Sequence, residues 1–436
     1  MIGNVLEWYD FAIYGFFAVA IGRQFFPNES PFAQLLATFG IFAIGYLVRP
    51  LGGIVVGHIS DHFGRRTALI VAIAAMAVPT FLIGLLPGYG MLGVMAPIAL
   101  TVLRAMQGLA LGGEYPSSMV FLVEHAPNGR RGLVGGFAAL GAVIGLLLGS
   151  ATGALLAITM PADALQSWGW RIPFLLGVFV GIAGHLLRRH IEETVPARVA
   201  GARPALLETL RDHWRLVVRI GAATTLTAVG FQLLFVYLVT AMQIDNGFTP
   251  AEALTINSAS MLVLLPSMLL GARLSDRFGR KPILMAAALF AFAAAWPTFW
   301  LLHQPNPYLV LAGQMGAAVF MGIFNATLPA LIVEAVPAHI RCTAVALGFN
   351  VSIGVFGGLA PFTATLLAER THSYLTPAFL VMGAAAVAFM AVRSFRETVH
   401  EPLEGRLDAL RQAVSEGLAA TRDGTPAHQP TGRQAA

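Results

Sequence analysis

Five ionisable side chains, Glu7, Asp10, Arg49, Arg104 and Glu114, stand inside apolar runs that are about 20 residues long, the length needed to cross a bilayer. Charge in such a setting is costly and marks function unless a partner neutralises it. The first run reads Gly3-Asn4-Val5-Leu6-Glu7-Trp8-Tyr9-Asp10-Phe11 and continues to Tyr14. At about 100° per residue, Asn4, Glu7, Asp10 and Tyr14 share an arc of about 120°. One polar face is therefore expected to point inward, at a water-filled cavity. Two carboxylates one turn apart on a desolvated face suit a proton carrier. The alternative is a pair of structural carboxylates held neutral by arginines.

Arg49 is followed by Pro50-Leu51-Gly52-Gly53, which loosens its helix, and it is either part of the proton step or a counter-ion to Glu7 or Asp10. Arg104 could hold a substrate carboxylate with its planar fork, serve the proton step, or pair structurally with Asp10. Glu114 lies ten residues further on, about 15 Å along a helix, and is out of its reach. Two acids and two arginines leave no spare positive charge. Protonating one acid would release an arginine for a substrate carboxylate, which favours a carboxylate-bearing cargo. All five charges belong to the first half of the chain; the later runs carry neutral polar groups such as Gln232, Asn257, Gln314, Asn325 and Asn350. Tyr14, Arg104, Gln232, Asn325 and Asn350 are the candidate substrate contacts. Glu7, Asp10, Arg49, Arg104 and Glu114 are the candidate coupling residues.

Other chemistry has little support. A single cysteine, Cys342, excludes a disulfide framework and a multi-thiolate metal site. No nucleophile–base spacing and no metal-ligand cluster is visible, so neither an enzyme nor a metal site is expected, and no cofactor beyond a coupling proton.

Two polar loops organise the chain around these residues. Ser60-Asp61-His62-Phe63-Gly64-Arg65-Arg66 returns as Ser275-Asp276-Arg277-Phe278-Gly279-Arg280-Lys281. A repeat at about half the chain length marks two related halves. Glu124-His125-Ala126-Pro127 followed by Arg131 matches Glu334-Ala335-Val336-Pro337 followed by Arg341, and Glu193-Thr194-Val195 matches Glu397-Thr398-Val399. Each Gly permits a tight turn. Each Asp can cap a helix N-terminus or pair with an arginine across the bundle. Asp61, Gly64, Arg65, Arg131, Asp276, Gly279, Arg280 and Arg341 are therefore the candidate gate.

Of the 436 residues, 57% are hydrophobic and 11% charged, against about 25% charged in a soluble domain. Twelve apolar runs are long enough to span, at about 4–22, 34–56, 67–86, 93–118, 133–158, 172–187, 220–241, 253–272, 283–302, 308–332, 344–367 and 376–392. Their composition is helical, without the alternation of barrel strands. The expected fold is an all-α membrane protein of twelve transmembrane helices in two six-helix halves. The halves are 1–187 and 220–392, joined by a central loop, 188–219, and followed by a tail, 393–436. With Met1 inside, 22 Arg and Lys fall in inner segments and three in outer loops. Both termini are thus expected in the cytoplasm. The positive charge reads as topology, the lipid bilayer is the principal partner, and nucleic acid is not one. In the tail, Leu403, Leu407, Leu410, Val414 and Leu418 have amphipathic-helix spacing. Gly141, Gly145, Gly149 and Gly153 are expected to form a sliding surface between the halves. Gly354, Gly357 and Gly358 before Pro361 hint at a bend.

At these residues the sequence resembles the major facilitator superfamily. Gly57…Asp61…Gly64-Arg65-Arg66 and Arg104-x-x-Gln107-Gly108 are similar to its signatures. Further segments resemble the metabolite:H⁺ symporter family, whose members include permeases for proline/betaine, shikimate, citrate and 2-oxoglutarate. These are Gly3-Asn4 to Phe11, Arg49-Pro50-Leu51-Gly52-Gly53, Gly112-Gly113-Glu114-Tyr115, Trp168 to Phe174 and Arg188-Arg189 to Glu193. The match runs over about residues 2–400. It implies the major facilitator fold and proton symport of a small polar or carboxylate-bearing metabolite, by a monomer in a bacterial inner membrane. Three features depart from that pattern. The motif begins at Gly3 where the family has a preceding stretch, Ala138-Ala139 stands where many relatives have Gln, and the tail is too short for a long coiled coil. A second reading is a non-transporting membrane sensor with the same fold, which would need a soluble output module.

Overall fold

The computed structural model describes residues 2–63, 65–178, 205–401 and 403. Gly64, the side chains of Asp61 and Arg65, the sixth run beyond 178 and the expected tail helix lie outside the described residues. Helix is the only regular structure among those described.

The helices begin where the sequence supplies caps. Ser30-Pro31, Thr249-Pro250 and Asn306-Pro307 open the second, eighth and tenth helices (Pro31–Leu47, Pro250–Phe278, Pro307–Glu334). In each, a side-chain oxygen accepts a backbone N–H that the helix leaves unpaired, and proline takes a position whose own N–H is not needed. Thr249 and Glu252 complete a reciprocal capping box. All three caps lie at the end of the bundle opposite the two repeated loops.

Among the described residues, nine helices are long and apolar enough to cross a membrane. The first helix (Ile2–Phe16, continued by Ala18–Phe25), the third (Arg65–Leu85) and the start of the sixth complete twelve. The seventh starts at Trp214, six residues before the expected 220, so Arg215 and Arg219 ride on its first turns. The fourth breaks at Gly112-Gly113 into Met95–Leu111 and Glu114–Glu124. The seventh (Trp214–Gln232, continued by Leu238–Ile244) and the eleventh (Arg341–Ser352, continued by Gly358–Thr371) each pass through a π-turn, Leu233–Tyr237 and Ile353–Gly357. Such turns recur at functional sites, because the extra residue frees a carbonyl and re-aims the side chains.

Close packing follows the small residues. A Cβ on Gly108 would lie 1.9 Å from the Gly45 carbonyl oxygen, and one on Gly112 2.1 Å from that of Arg49. Only glycine lets the fourth helix meet the second and its continuation, Arg49–Phe63, at that distance. The fifth helix (Arg131–Thr159) corrects one expectation. Gly145 and Gly149 face the first helix within the same half, with a Gly145 Cβ falling 2.2 Å from the Val5 carbonyl oxygen. The face turned to the other half carries Gly132 and Gly136, against Asp276 and Ala326. Gly145 and Gly149 therefore hold one half together, while Gly153, against Leu254, reaches the other.

Candidate functional site

The polar face of the first helix is buried but does not line the central cavity. Asn4 donates to Ser118 Oγ (3.0 Å) and the Ala138 carbonyl (3.2 Å). Tyr14 donates to the Thr38 carbonyl (3.2 Å). Asp10 and Arg104 are connected by a chain of neutral side chains. Arg104 donates to Gln107 Oε1 (2.8 Å), Gln107 Nε2 donates to Thr80 Oγ1 (2.6 Å), and Thr80 donates to Asp10 Oδ2 (3.2 Å). Four buried groups on the first, third and fourth helices thus form one network. Glu7 is buried one turn before Asp10, and Glu114 is half-buried at the start of Glu114–Glu124.

Both membrane arginines rest on aromatic rings. Arg104 Cζ lies 4.2 Å from the ring centroids of both Phe11 and Tyr14. Arg49 Cζ lies 5.5 Å from that of Trp8 and 5.4 Å from that of Tyr46. Both side chains are fully buried. Among the described residues, no Arg49 guanidinium nitrogen has a hydrogen-bond partner. The expected counter-ion contact to Glu7 or Asp10 is replaced by aromatic faces, although Glu7 remains within electrostatic reach of Arg49. A desolvated cation over such a ring gains about 2 kcal/mol, much less than a buried guanidinium forgoes by leaving water. The two arginines therefore keep donors in reserve.

The cavity lies between the halves. Trp8, Tyr115 and Ala139 wall it on one side, and Phe231, Asn325 and Phe349 on the other. Its volume is about 40 Å³ and, among the described residues, no charged side chain lines it. Gln232 also lines it and donates to the Tyr46 hydroxyl (2.5 Å), while Asn350 donates to the Gly112 carbonyl (2.5 Å). Both bonds join the two halves. The Oε1 of Gln232 and the Oδ1 of Asn325 are buried without a partner among the described residues. Of the expected substrate contacts, Gln232 and Asn325 line this space, whereas Tyr14, Arg104 and Asn350 are not among its lining residues. Arg49 lies directly behind Trp8.

The end of the bundle bearing the repeated loops is closed by a second network. Asp276 accepts the backbone N–H groups of Gly132 and Leu133 (both 2.8 Å), an anion on the fifth helix's N-terminus contributed by the other half. It also pairs with Arg280 (2.7 Å). Glu334 holds Arg131 across the halves (3.2 Å) and Arg280 within its own (3.3 Å). Glu397 accepts the N–H groups of Arg280 and Lys281 (both 2.9 Å). Gly279 has φ 107°, and a Cβ there would fall 2.7 Å from the Glu397 carboxylate. Arg131 also reaches the Val399 and Glu401 carbonyls, so the segment after the twelfth helix (Thr376–Ser394) belongs to this closure. Arg341 pairs with Glu124 (2.6 Å).

Glu334, Glu397, Thr80 and the cavity aromatics were not among the expected site residues. Glu334 and Glu397 could have been found, because the sequence repeat pairs them with Glu124 and Glu193. An aromatic in an apolar run carries no such mark.

Comparison with known proteins agrees with this architecture. Residues 1–197 match the model of the sugar (and other) transporter family, and residues 220–422 that of the major facilitator superfamily. The chain is 34% identical over 426 residues to a proline/betaine transporter of Salmonella typhimurium, covering 94% of this chain and 84% of the relative. It is 34% identical over 396 residues to a citrate-proton symporter of Klebsiella pneumoniae, covering 89% and 88%. The crystal structure of a D-xylose-proton symporter superposes with TM-score 0.74 at 18% identity, covering 92% of this chain and 97% of that one, a likeness of fold alone. Twelve helices in two halves, a cavity between them and these relatives lead to one placement: the chain is a multi-pass membrane protein that belongs to the major facilitator superfamily.

Proposed function

We propose that the protein is a proton-coupled symporter that moves a small metabolite through the central cavity by alternating access. The moving bodies are residues 1–187 and 220–392, with 188–219 as central loop and 393–436 as tail. It works in a bacterial inner membrane with both termini cytoplasmic, a reading supported by the 22 to three distribution of basic residues. Relatives described as proline/betaine transporters and citrate-proton symporters bracket the cargo.

The observation that carries the reading is the juxtaposition of an uncharged, aromatic-walled cavity with Arg49, whose guanidinium has no hydrogen-bond partner among the described residues. Aromatic faces and two free amide oxygens suit an alkylated ammonium group. Arg49 suits a carboxylate that reaches past Trp8. Together they favour a small zwitterion over a tricarboxylate, whose charge the cavity wall does not neutralise. Asp10, joined to Arg104 through Thr80 and Gln107, is the proton carrier, assisted by Glu7. Asp276, Arg131, Glu334 and Arg341 latch the cytoplasmic end.

The test is uptake into proteoliposomes under an imposed pH gradient, with radiolabelled betaine, proline and citrate offered separately. Accumulation of a zwitterion that collapses with the gradient is expected. Accumulation of citrate alone would overturn the cargo assignment, and no accumulation of any small metabolite would overturn symport.

A further inference from the structure

The fold assembles a second cluster of chemistry-bearing side chains that the sequence spacing hides. Glu208 sits on the short helix Ala205–Asp212. His213 follows it and immediately precedes the seventh helix. His339 comes from the turn Ala338–Ile340, between the tenth and eleventh helices and more than 120 residues away in sequence. The short helix packs on that turn and on the start of the eleventh helix, which brings all three together. His339 Nε2 lies 2.9 Å from Glu208 Oε1, and the rings of His213 and His339 are 6.3 Å apart. One potential ligand atom from each residue lies within 4.8 Å of the others.

We propose that Glu208, His213 and His339 form a binding site for a divalent transition metal of the Zn²⁺ class. Two imidazoles and one carboxylate form a donor set that suits zinc, with water completing a tetrahedron. Imidazole nitrogen disfavours Mg²⁺ and Ca²⁺, which take oxygen. Bonds of about 2.0–2.2 Å place tetrahedral ligand atoms about 3.3–3.5 Å apart, so the cluster must contract by roughly an ångström. The side chains of His339 and Glu208 are 60% and 28% exposed, which leaves them free to rotate and the ion free to enter. The ion takes the place of the His339–Glu208 hydrogen bond, with each imidazole binding it through an unprotonated ring nitrogen.

The site is coupled to the gate by position. His339 stands two residues before Arg341, whose Nε donates to the Val336 carbonyl (3.1 Å) and whose Nη1 holds Glu124 of the other half. A bound ion ties this turn to the segment leading into the seventh helix, which lines the cavity. Occupation therefore slows opening of this end and inhibits transport. The inhibition rests on the symport reading; the binding does not.

The experiment uses the full chain, purified on a histidine-free tag, with Co²⁺ as a spectroscopic probe and Zn²⁺ as competitor. One ion per chain with the visible absorption of four-coordinate Co²⁺ is expected. His213→Ala and His339→Ala each remove a direct ligand and should weaken it by more than the roughly 10- to 100-fold that loss of an outer-shell partner costs, with melting in chelator unchanged as the check on folding. Native-like affinity in both variants, or no Co²⁺ bound at millimolar ion, overturns the site. In proteoliposomes Zn²⁺ should slow uptake by the native chain and not by His339→Ala. Zinc that binds yet leaves uptake unchanged overturns the clamp. A chain that transports nothing without zinc sinks symport and leaves the binding result standing.

Discussion

Arg131 of the first half lies 3.2 Å from Glu334 of the second, and the relation is returned by Arg341, 2.6 Å from Glu124. Each half offers the glutamate that the other's arginine takes. The repeat Glu124…Arg131 and Glu334…Arg341 is therefore one interaction used twice about a pseudo-twofold axis. The two copies differ in burial. The Glu334 side chain is 1% exposed and also binds Arg280 and Thr398, whereas Glu124 is 35% exposed.

That asymmetry sets the first prediction. Glu334→Gln leaves the buried Arg131 guanidinium without its anion and Arg280 with Asp276 alone, a loss of about 3–5 kcal/mol to the closed arrangement. Glu124→Gln at a more open site should cost about 1 kcal/mol or less. States a few kcal/mol apart change places under the larger loss. With Cys342, the only native cysteine, replaced by serine, a cysteine placed at Met119 of the cavity reports access from the latched end. Labelling should rise strongly in Glu334→Gln and little in Glu124→Gln. Equal labelling in both variants would show that burial does not govern the latch.

The second concerns close approach. Gly108→Ala pushes a methyl into the Gly45 carbonyl oxygen, and backbone on both helices leaves no flexible group to yield. A loss of about 1–3 kcal/mol is expected, read as an earlier thermal transition in detergent. Gly316→Ala is the control, since a Cβ there has nothing within 4 Å, and it should melt no earlier than the native protein. An unshifted transition in Gly108→Ala would mean that the second and fourth helices part without cost.

Much of the fold is legible because membrane helices announce themselves by length and apolarity, and because the two polar loops recur. The network that joins the halves at the loop end was half legible. Asp276, Arg131 and Arg341 stand out as charges at repeated spacing, while the partner of each depends on how the halves meet. The cavity was the least legible. Arc counting placed Glu7, Asp10 and Tyr14 on one face of the first helix, but it could not tell the interior of a six-helix half from the space between halves. Trp8, one residue from Glu7, points into that space. The His339–Glu208 contact was invisible for the same reason, since its two residues meet only through tertiary packing.

The third prediction addresses cargo. Phe231 lines the cavity with no polar atom of its own, so Phe231→Leu keeps an apolar wall and removes the ring. If an ammonium group rests on it, affinity should fall by about 0.5–2 kcal/mol, roughly two- to 30-fold in Kd. Coupling should be preserved, so proton and cargo fluxes fall together. Unaltered Kd for the transported zwitterion would remove Phe231 from its binding.

The last concerns Asp10 and Arg104, which communicate through Thr80 and Gln107 and not by direct contact. Thr80 Oγ1 accepts from Gln107 and also reaches the Met76 carbonyl at 2.8 Å, so its one proton is shared between that carbonyl and Asp10. When Asp10 is ionised, Thr80 must turn toward it. When Asp10 carries a proton, Thr80 is released to Met76 and the carboxyl can donate. The change in proton state therefore reaches Gln107, and through it Arg104, as a reorientation of hydrogen bonds. Asp10→Asn keeps a polar side chain of the same shape but cannot carry the proton. It should abolish accumulation driven by a pH gradient while leaving counterflow exchange. Thr80→Val keeps the volume, breaks the chain and leaves both ends in place. It should allow exchange and lower the number of protons moved per cargo molecule. Arg104→Lys supplies the charge but not the planar fork that meets Gln107 and stacks on Phe11 and Tyr14, so uptake should be lost with it. Uptake by Thr80→Val at native proton stoichiometry would show that the chain does not carry the signal. Native gradient-driven accumulation by Asp10→Asn would move the proton site elsewhere.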